Sequence, residues 1–248
     1  MSSIQTECQL TPKRVDALSE DRVVGVTLGY GFTLAVTDAG AVISFGRSVS
    51  GSLGHGLSTS EVLPRRVEAL AETGLRFVIV AAGDFHSLAL TEEGHVYGWG
   101  YEGANGHGQE QRTPQLVAAL AGARVQLLYA HKCSSCAVTM TGELYTWGEG
   151  FANSFNLGHG VAVARRTPRR VEALSRVKVM AAAICGSHTL VAGADGVVWG
   201  FGQRAFLGLG KAADAPFVDS EDEESEDEDK GWVVQPTPIP NLRVRTFP

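Results

Sequence analysis

Four stretches of this chain are variants of one another, and a chain that repeats itself folds as a stack of like units. They are FTLAVTDAGAVISFG (32–46), HSLALTEEGHVYGWG (86–100), SCAVTMTGELYTWG (135–148) and HTLVAGADGVVWGFG (188–202). They register on Gly40, Gly94, Gly142 and Gly196, at intervals of 54, 48 and 54 residues. Five residues after each glycine stands an aromatic, Phe45, Trp99, Trp147 or Phe201, itself followed by glycine. A second glycine signature comes next: LGHG with Gly54, NGHG with Gly106, LGHG with Gly158 and LGLG with Gly208. Each unit ends on a proline six residues before a leucine, Pro64/Leu70, Pro114/Leu120, Pro168/Leu174 and Pro236/Leu242. One more copy of this last element, TPKRVDAL with Pro12 and Leu18, stands near the N-terminus.

Within a unit the pattern is short-range β. Leu88-Ala89-Leu90 leads through Thr91-Glu92-Glu93-Gly94 into His95-Val96-Tyr97-Gly98-Trp99. Two apolar runs joined by a few turn residues predict a hairpin, with the glycine at a positive-φ position. Tyr97 and Trp99 alternate and so share a face, as do Ile43/Phe45, Tyr145/Trp147 and Trp199/Phe201. FVIVAAG (77–83) supplies a further strand buried on both faces, and the proline-led segment a fourth. Four short strands every fifty or so residues, with periodic aromatics and glycines, predict propeller blades. The glycine content, 30 of 248 residues, is largely the punctuation of these units.

AAGDFHSLALTEEGHVYGWG, NGHG and RTPQLV, within 81–117, resemble the repeat of the regulator of chromosome condensation family. The resemblance covers roughly residues 11–244 and implies one propeller blade per repeat of about fifty residues. The founding protein of that family closes seven blades, whereas this chain holds four units. The expected fold is therefore all-β, a propeller of four-stranded blades left open as a partial ring. A closed four-bladed ring and a larger ring completed by two chains are the alternatives, since exposed blade faces tend to associate. The expected division is 1–20 (tail plus one blade strand), 21–70, 71–120, 121–174 and 175–248, the last with an acidic disordered loop at 212–232. RVRTFP (243–248) stands where a next unit's first strand would begin, as in a cut through a longer array.

Charge isolates that loop. Asp219 to Lys230, DSEDEESEDEDK, carries −8, and the whole chain carries −6, so the rest carries +2. Gly208 to Pro236 spans 28 residues, against 8 to 10 between the equivalent landmarks. Such a run repels itself and stays solvated. Ser220 and Ser225 are each followed by three acids, the pattern of acidophilic kinase sites. A near-neutral body offers no basic face for a phosphate backbone, so direct nucleic-acid binding is not expected. The N-terminus lacks a signal-peptide core, no run reaches 18 apolar residues, and cysteines are four (Cys8, Cys133, Cys136, Cys185). The expected setting is the cytosol or nucleus, with no membrane contact.

Candidates for chemistry reduce to a few. GWGYEG (98–103) and GFGQRA (200–205) fit dinucleotide fingerprints, but a turn follows where a helix must open. His55, His107 and His159 recur every 52 residues and could offer imidazoles to zinc; the fourth unit has Leu209, and repeated turn residues are the reading taken. Cys133-Ser-Ser-Cys136 is a lone C-x-x-C whose second cysteine falls in register with Leu34, Leu88 and Leu190, a core position. His86-Ser87 and His188-Thr189 occupy the element that, by the resemblance, helps tie a blade together. No catalytic residue, metal or cofactor is assigned. The expected function is a non-catalytic protein-interaction scaffold recognising a protein partner through its loops. The resemblance adds two alternatives: nucleotide exchange on a small GTPase, as the founding member does for Ran, and association with histones.

Overall fold

The computed structural model describes residues 10–149, 155–209, 217–218 and 231–244. Every strand pair is antiparallel, and each unit makes one sheet. Sheet one holds β1 (Val23–Leu28), β2 (Phe32–Thr37), β3 (Val42–Gly46) and β4 (Glu61–Arg66). Sheet two holds β5 (Phe77–Ala82), β6 (His86–Thr91), β7 (Val96–Gly100) and β8 (Gln111–Leu116). Sheet three holds β9 (Val125–His131), β10 (Ser134–Thr139), β11 (Leu144–Gly148) and β12 (Arg165–Arg170). Sheet four holds β13 (Val179–Ile184), β14 (His188–Gly193), β15 (Val197–Gln203), β16 (Phe217–Val218) and β17 (Trp232–Arg243). The first three are simple meanders; in the fourth, β17 pairs with β15 and carries the two-residue β16 on its far side.

The same local chemistry builds each sheet. Gly94 closes the β6–β7 turn at φ +92°, and a Cβ there would lie 3.0 Å from the Val125 backbone. Gly40, Gly142 and Gly196 close the matching turns of the other sheets. The prolines Pro64, Pro114 and Pro168 fall in β4, β8 and β12, the outer strands, where an edge tolerates a missing N–H. The inner strands β1, β5 and β13 share a register shift just after their first paired residue (Val23/Gly25, Phe77/Ile79 and Val179/Ala181). In β9 it lies at the corresponding end of the pairing with β10, and such bulges bend a strand.

The core lies between sheets. Leu34 and Val36 of sheet one pack with Phe77, Val80 and Trp99 of sheet two. Leu88 and Leu90 pack with Leu128, Ala137 and Trp147 of sheet three. Cys136 and Val138 pack with Ala182, Ile184 and Phe201 of sheet four. Packing thus runs in chain order, and the four sheets form an open arc, a partial propeller.

The N-terminal copy of the proline-led element departs from its expected form. Residues 11–15 make no strand, and only the 3-10 turn Asp16–Leu18 forms. Elsewhere this strand pairs with the third strand before it in its own unit, and the described residues hold none ahead of Pro12. The segment is held instead beside β4, where Arg66 meets Asp21 at 3.3 Å. Of the tract 212–232, the described residues are 217–218, which pair with Val233 and Trp232, and Gly231 and Trp232 themselves.

Candidate protein-binding face

Antiparallel meanders send alternate connections to opposite ends. The tight glycine turns lie at one end of the arc. The loops between first and second strands (29–31, 83–85, 132–133, 185–187) and between third and fourth strands share the other. Backbone bonds stitch the inner loops together: Tyr30 N–H donates to Asp84 O (3.2 Å), and Asp84 N–H to Lys132 O (2.8 Å).

Two groups of exposed and half-buried side chains stand on this loop face. Tyr30 is exposed, with Phe85 edge-on at 5.9 Å between ring centroids and the Arg47 guanidinium 5.7 Å from the Tyr30 ring centre. Farther along, Tyr101 donates its hydroxyl to Glu149 at 2.5 Å, and Arg166 meets Glu149 at 2.5 Å and Glu102 at 3.7 Å. The carboxylate beside Tyr101 holds its phenol protonated, pushed up to about 12. These contacts couple the loop of sheet two to the outer strand of sheet three. That strand, RRTPRR, borders a cavity of about 400 Å³ lined by His159, Arg169, Arg170, Glu172 and Gln235 among others.

Beneath the loops runs a latch from sheet to sheet. The Ser52 carbonyl accepts from Ser87 Oγ (2.7 Å) and from Trp99 Nε1 (2.8 Å). The Ala104 carbonyl accepts from Ser135 Oγ (3.1 Å) and Trp147 Nε1 (2.8 Å). The Asn156 carbonyl accepts from Thr189 Oγ1 (2.8 Å), and Phe201, which has no N–H, fills the tryptophan position. Each acceptor sits immediately before a second-signature residue (Leu53, Asn105 or Leu157) and each donor one unit later. Gly54, Gly106 and Gly158 follow those residues at positive φ, close to Trp99, Trp147 and Phe201; Gly208 holds the matching place in the fourth unit. Phe45 occupies the aromatic position in the first sheet and is only half-buried.

His86 joins this latch. Ser135 Oγ donates to Ala104 O, so it accepts from His86 Nε2–H at 2.7 Å. His86 is wholly buried, which lowers its pKa to about 3 and keeps the ring neutral. Its Nδ1 makes no hydrogen bond. His188, at the equivalent position, turns elsewhere: its Nδ1 lies 3.0 Å from Cys185 Sγ, and its ring 5.6 Å from that of Phe206.

The repeated histidines are not brought together. His55 Nε2 bonds Ser44 Oγ (2.9 Å), His107 Nε2 bonds Gly98 O (3.2 Å), and His159 Nε2 bonds Thr146 Oγ1 (3.0 Å). Each bond stays within one sheet, and burial lowers all three pKa values, His159 to about 4. Among the described residues no cluster of three His, Cys, Asp or Glu side chains could hold a metal. Cys136 lies in the core with its thiol pushed up to about 12, and Cys133 is half-buried in a loop. A turn follows GWGYEG, and a single 3-10 turn, Arg204–Phe206, follows the strand that carries GFGQ. Ser220 and Ser225 lie outside the described residues. Sequence reasoning missed the latch carbonyls, the Tyr30–Phe85–Arg47 group and the Glu149 network. A signal for the latch existed in the 52-residue recurrence of Ser52, Ala104 and Asn156, but their side chains share no chemistry.

Comparison with known proteins follows the same lines. The family model described as "Regulator of chromosome condensation (RCC1) repeat" matches residues 39–90 and 141–192, and a second model of that description matches 77–109. The Ultraviolet-B receptor UVR8 of Arabidopsis thaliana is 32% identical over 210 residues, covering 82% of this chain and 47% of the receptor. The E3 ubiquitin-protein ligase HERC2 of Homo sapiens is 38% identical over 191 residues, 75% of this chain and 4% of the ligase. The chain thus spans about half the length, or far less, of these curated relatives. Among solved structures, human WBSCR16 superposes with a TM-score of 0.70 at 18% identity, covering 89% of this chain and 53% of that one. Prp20p of Saccharomyces cerevisiae superposes at 0.52 and 19% identity, covering 91% and 67%. Repeat landmarks, four antiparallel sheets in an arc and these matches agree: the chain belongs to the family of proteins built from regulator of chromosome condensation repeats.

Proposed function

We propose that the chain is a non-catalytic protein-interaction module and that its loop face receives the partner. The observation that carries this reading is the exposed Tyr30, braced by Phe85 and Arg47 on a rigid arc. Exposed aromatics and arginines, held in place by a scaffold, are the groups that dominate protein recognition. The loops that follow the aromatic-glycine landmark differ in length and side chains, while the sheets beneath them repeat. Prp20p, a structural neighbour, has been described together with its binding to Gsp1p and histones, and yeast RCC1 in a structure bound to Kap60. Protein binding on such a scaffold is therefore the reading to test first, with the cytosol or nucleus as the proposed setting. Immobilised chain and its Tyr30→Ala/Arg47→Ala form are compared by pull-down from lysate with mass spectrometry. A partner retained by the first and lost from the second supports the loop face; equal retention moves the site elsewhere.

The acidic tract gives the histone alternative its specific support. The run 219–230, which carries −8, connects β16 (Phe217–Val218) to Gly231 at the loop end. Retention of core histones by the intact chain, abolished on deleting 219–230, would establish it. For the small-GTPase alternative, a nucleotide-release assay over a GTPase panel decides, and acceleration would replace the scaffold reading.

A further inference from the structure

The inner faces of the arc provide a template for its two ends. In sheets two to four, the side facing the preceding sheet is largely covered: Val80, Leu128, Ala182, Ala82 and Ile184 are at most 9% exposed, and Ala130 is half-buried. The register-equivalent residues of sheet one, Val26 and Leu28, are 66% and 71% exposed. Thr33 and Phe45 stand where Ser87/Trp99, Ser135/Trp147 and Thr189/Phe201 make the latch, and both are only half-buried. Soluble monomers rarely leave a contiguous apolar face of this kind uncovered.

Sheet four ends in the complementary face. Leu34, Leu88 and Cys136 are each fully buried under the next sheet, while their equivalent Leu190 is half-exposed. Ala181 and Ala183 are exposed. Phe206, which occupies the latch-acceptor position of Ser52, Ala104 and Asn156, is 55% exposed.

We propose that these two ends bind each other between copies, sheet four of one chain seating on sheet one of the next. The occupant is argued from continuity with the three interfaces inside the chain. What covers a Val26/Leu28-type face there is always the Leu34/Val36-type face of the preceding sheet, and among the described residues one such face is uncovered. The sheet three–sheet four interface supplies the closest precedent, because its Thr189/Phe201 pair has the residue types of Thr33/Phe45. There, threonine donates to the Asn156 carbonyl and phenylalanine fills the tryptophan site; Thr33 and Phe45 would meet the Phe206 carbonyl of the neighbouring copy likewise. The latch is directional, with a donor on one face and an acceptor on the other. Pairing sheet one with sheet one would leave both threonines without a carbonyl. The contact is therefore head-to-tail, and it closes a ring of copies or extends as a filament.

Sedimentation velocity over a dilution series tests this on the whole chain. The intact protein is expected to associate reversibly, as a closed dimer or as a ladder of larger species, and either supports the contact. Val26→Glu/Leu28→Glu, placed on exposed positions, is expected to give monomer whose thermal midpoint matches that of the intact chain at dilutions where it too is monomeric, and so is Ala183→Arg at the other end. Mixing the two monomeric variants leaves one intact pair of faces and is expected to give a 1:1 dimer. Monomer at every concentration of intact chain overturns the proposal. So does association that survives Val26→Glu/Leu28→Glu, or a mixture that stays monomeric.

Discussion

Trp147→Phe tests whether the latch holds the sheets together or merely accompanies their packing. The indole is fully buried, and its Nε1 donates at 2.8 Å to the Ala104 carbonyl of the preceding unit. Phenylalanine already fills the equivalent site in sheet four, so the substitution needs no rearrangement. Ser135 Oγ still donates to Ala104 O at 3.1 Å, so the carbonyl is not orphaned. The lost bond then costs about 1 kcal/mol. The smaller ring forfeits about three heavy atoms of buried surface, about 1–2 kcal/mol more. The expected loss is about 2–3 kcal/mol, read as a shift in urea midpoint at constant m-value. Adding Ser135→Ala removes the second donor and strands both the Ala104 carbonyl and the His86 Nε2–H in a buried site. Leaving a buried group unsatisfied costs about 1–3 kcal/mol. The double variant is therefore expected to lose at least about 1 kcal/mol beyond the sum of the single losses. A Trp147→Phe loss under about 0.5 kcal/mol, or a double variant that adds within about 0.5 kcal/mol, would refute the latch as an energetic element.

Other perturbations follow from the same contacts. His86 has its pKa depressed to about 3 in the fold and regains an ordinary value when unfolded, so the unfolded chain binds more protons between those values. Stability is therefore full above about pH 6.5 and falls with acid toward pH 3, by up to about 1.4 kcal/mol per pH unit for this group. His86→Gln should flatten part of that slope in chemical denaturation, while His159, lowered to about 4, and His55, His107 and His188, also lowered by burial, keep the remainder. Gly94→Ala puts a methyl 3.0 Å from the Val125 backbone at φ +92°, and its thermal midpoint should fall by an amount equivalent to about 1–3 kcal/mol. A thiol reagent applied to native protein should label Cys185 and Cys133 and spare Cys136 until urea is added, as read by peptide mass mapping.

Much of the fold was legible because a repeat states its pattern several times. The hairpins, the outer proline strands and the face shared by Tyr97 and Trp99 all follow from spacing and from the two-residue period of a strand. The N-terminal proline element misled, because TPKRV has the residues of an outer strand but no third strand ahead of it among the described residues. The histidines show the same limit. His55, His107 and His159 are equivalent by spacing, yet each turns to its own sheet's third strand.

The sequence alone determined the unit: four antiparallel sheets, their turn glycines, and the aromatic that each sheet presents to its neighbour. It did so because local periodicity and turn chemistry act over a few residues. Tertiary structure decided what lies between units. The latch joins a backbone carbonyl to side chains 31 to 47 residues later, and a carbonyl has no letter of its own. It also decided which faces stay open. Leu190 and Leu88 are the same residue at the same repeat position, and only the sheet that follows Leu88 makes it core.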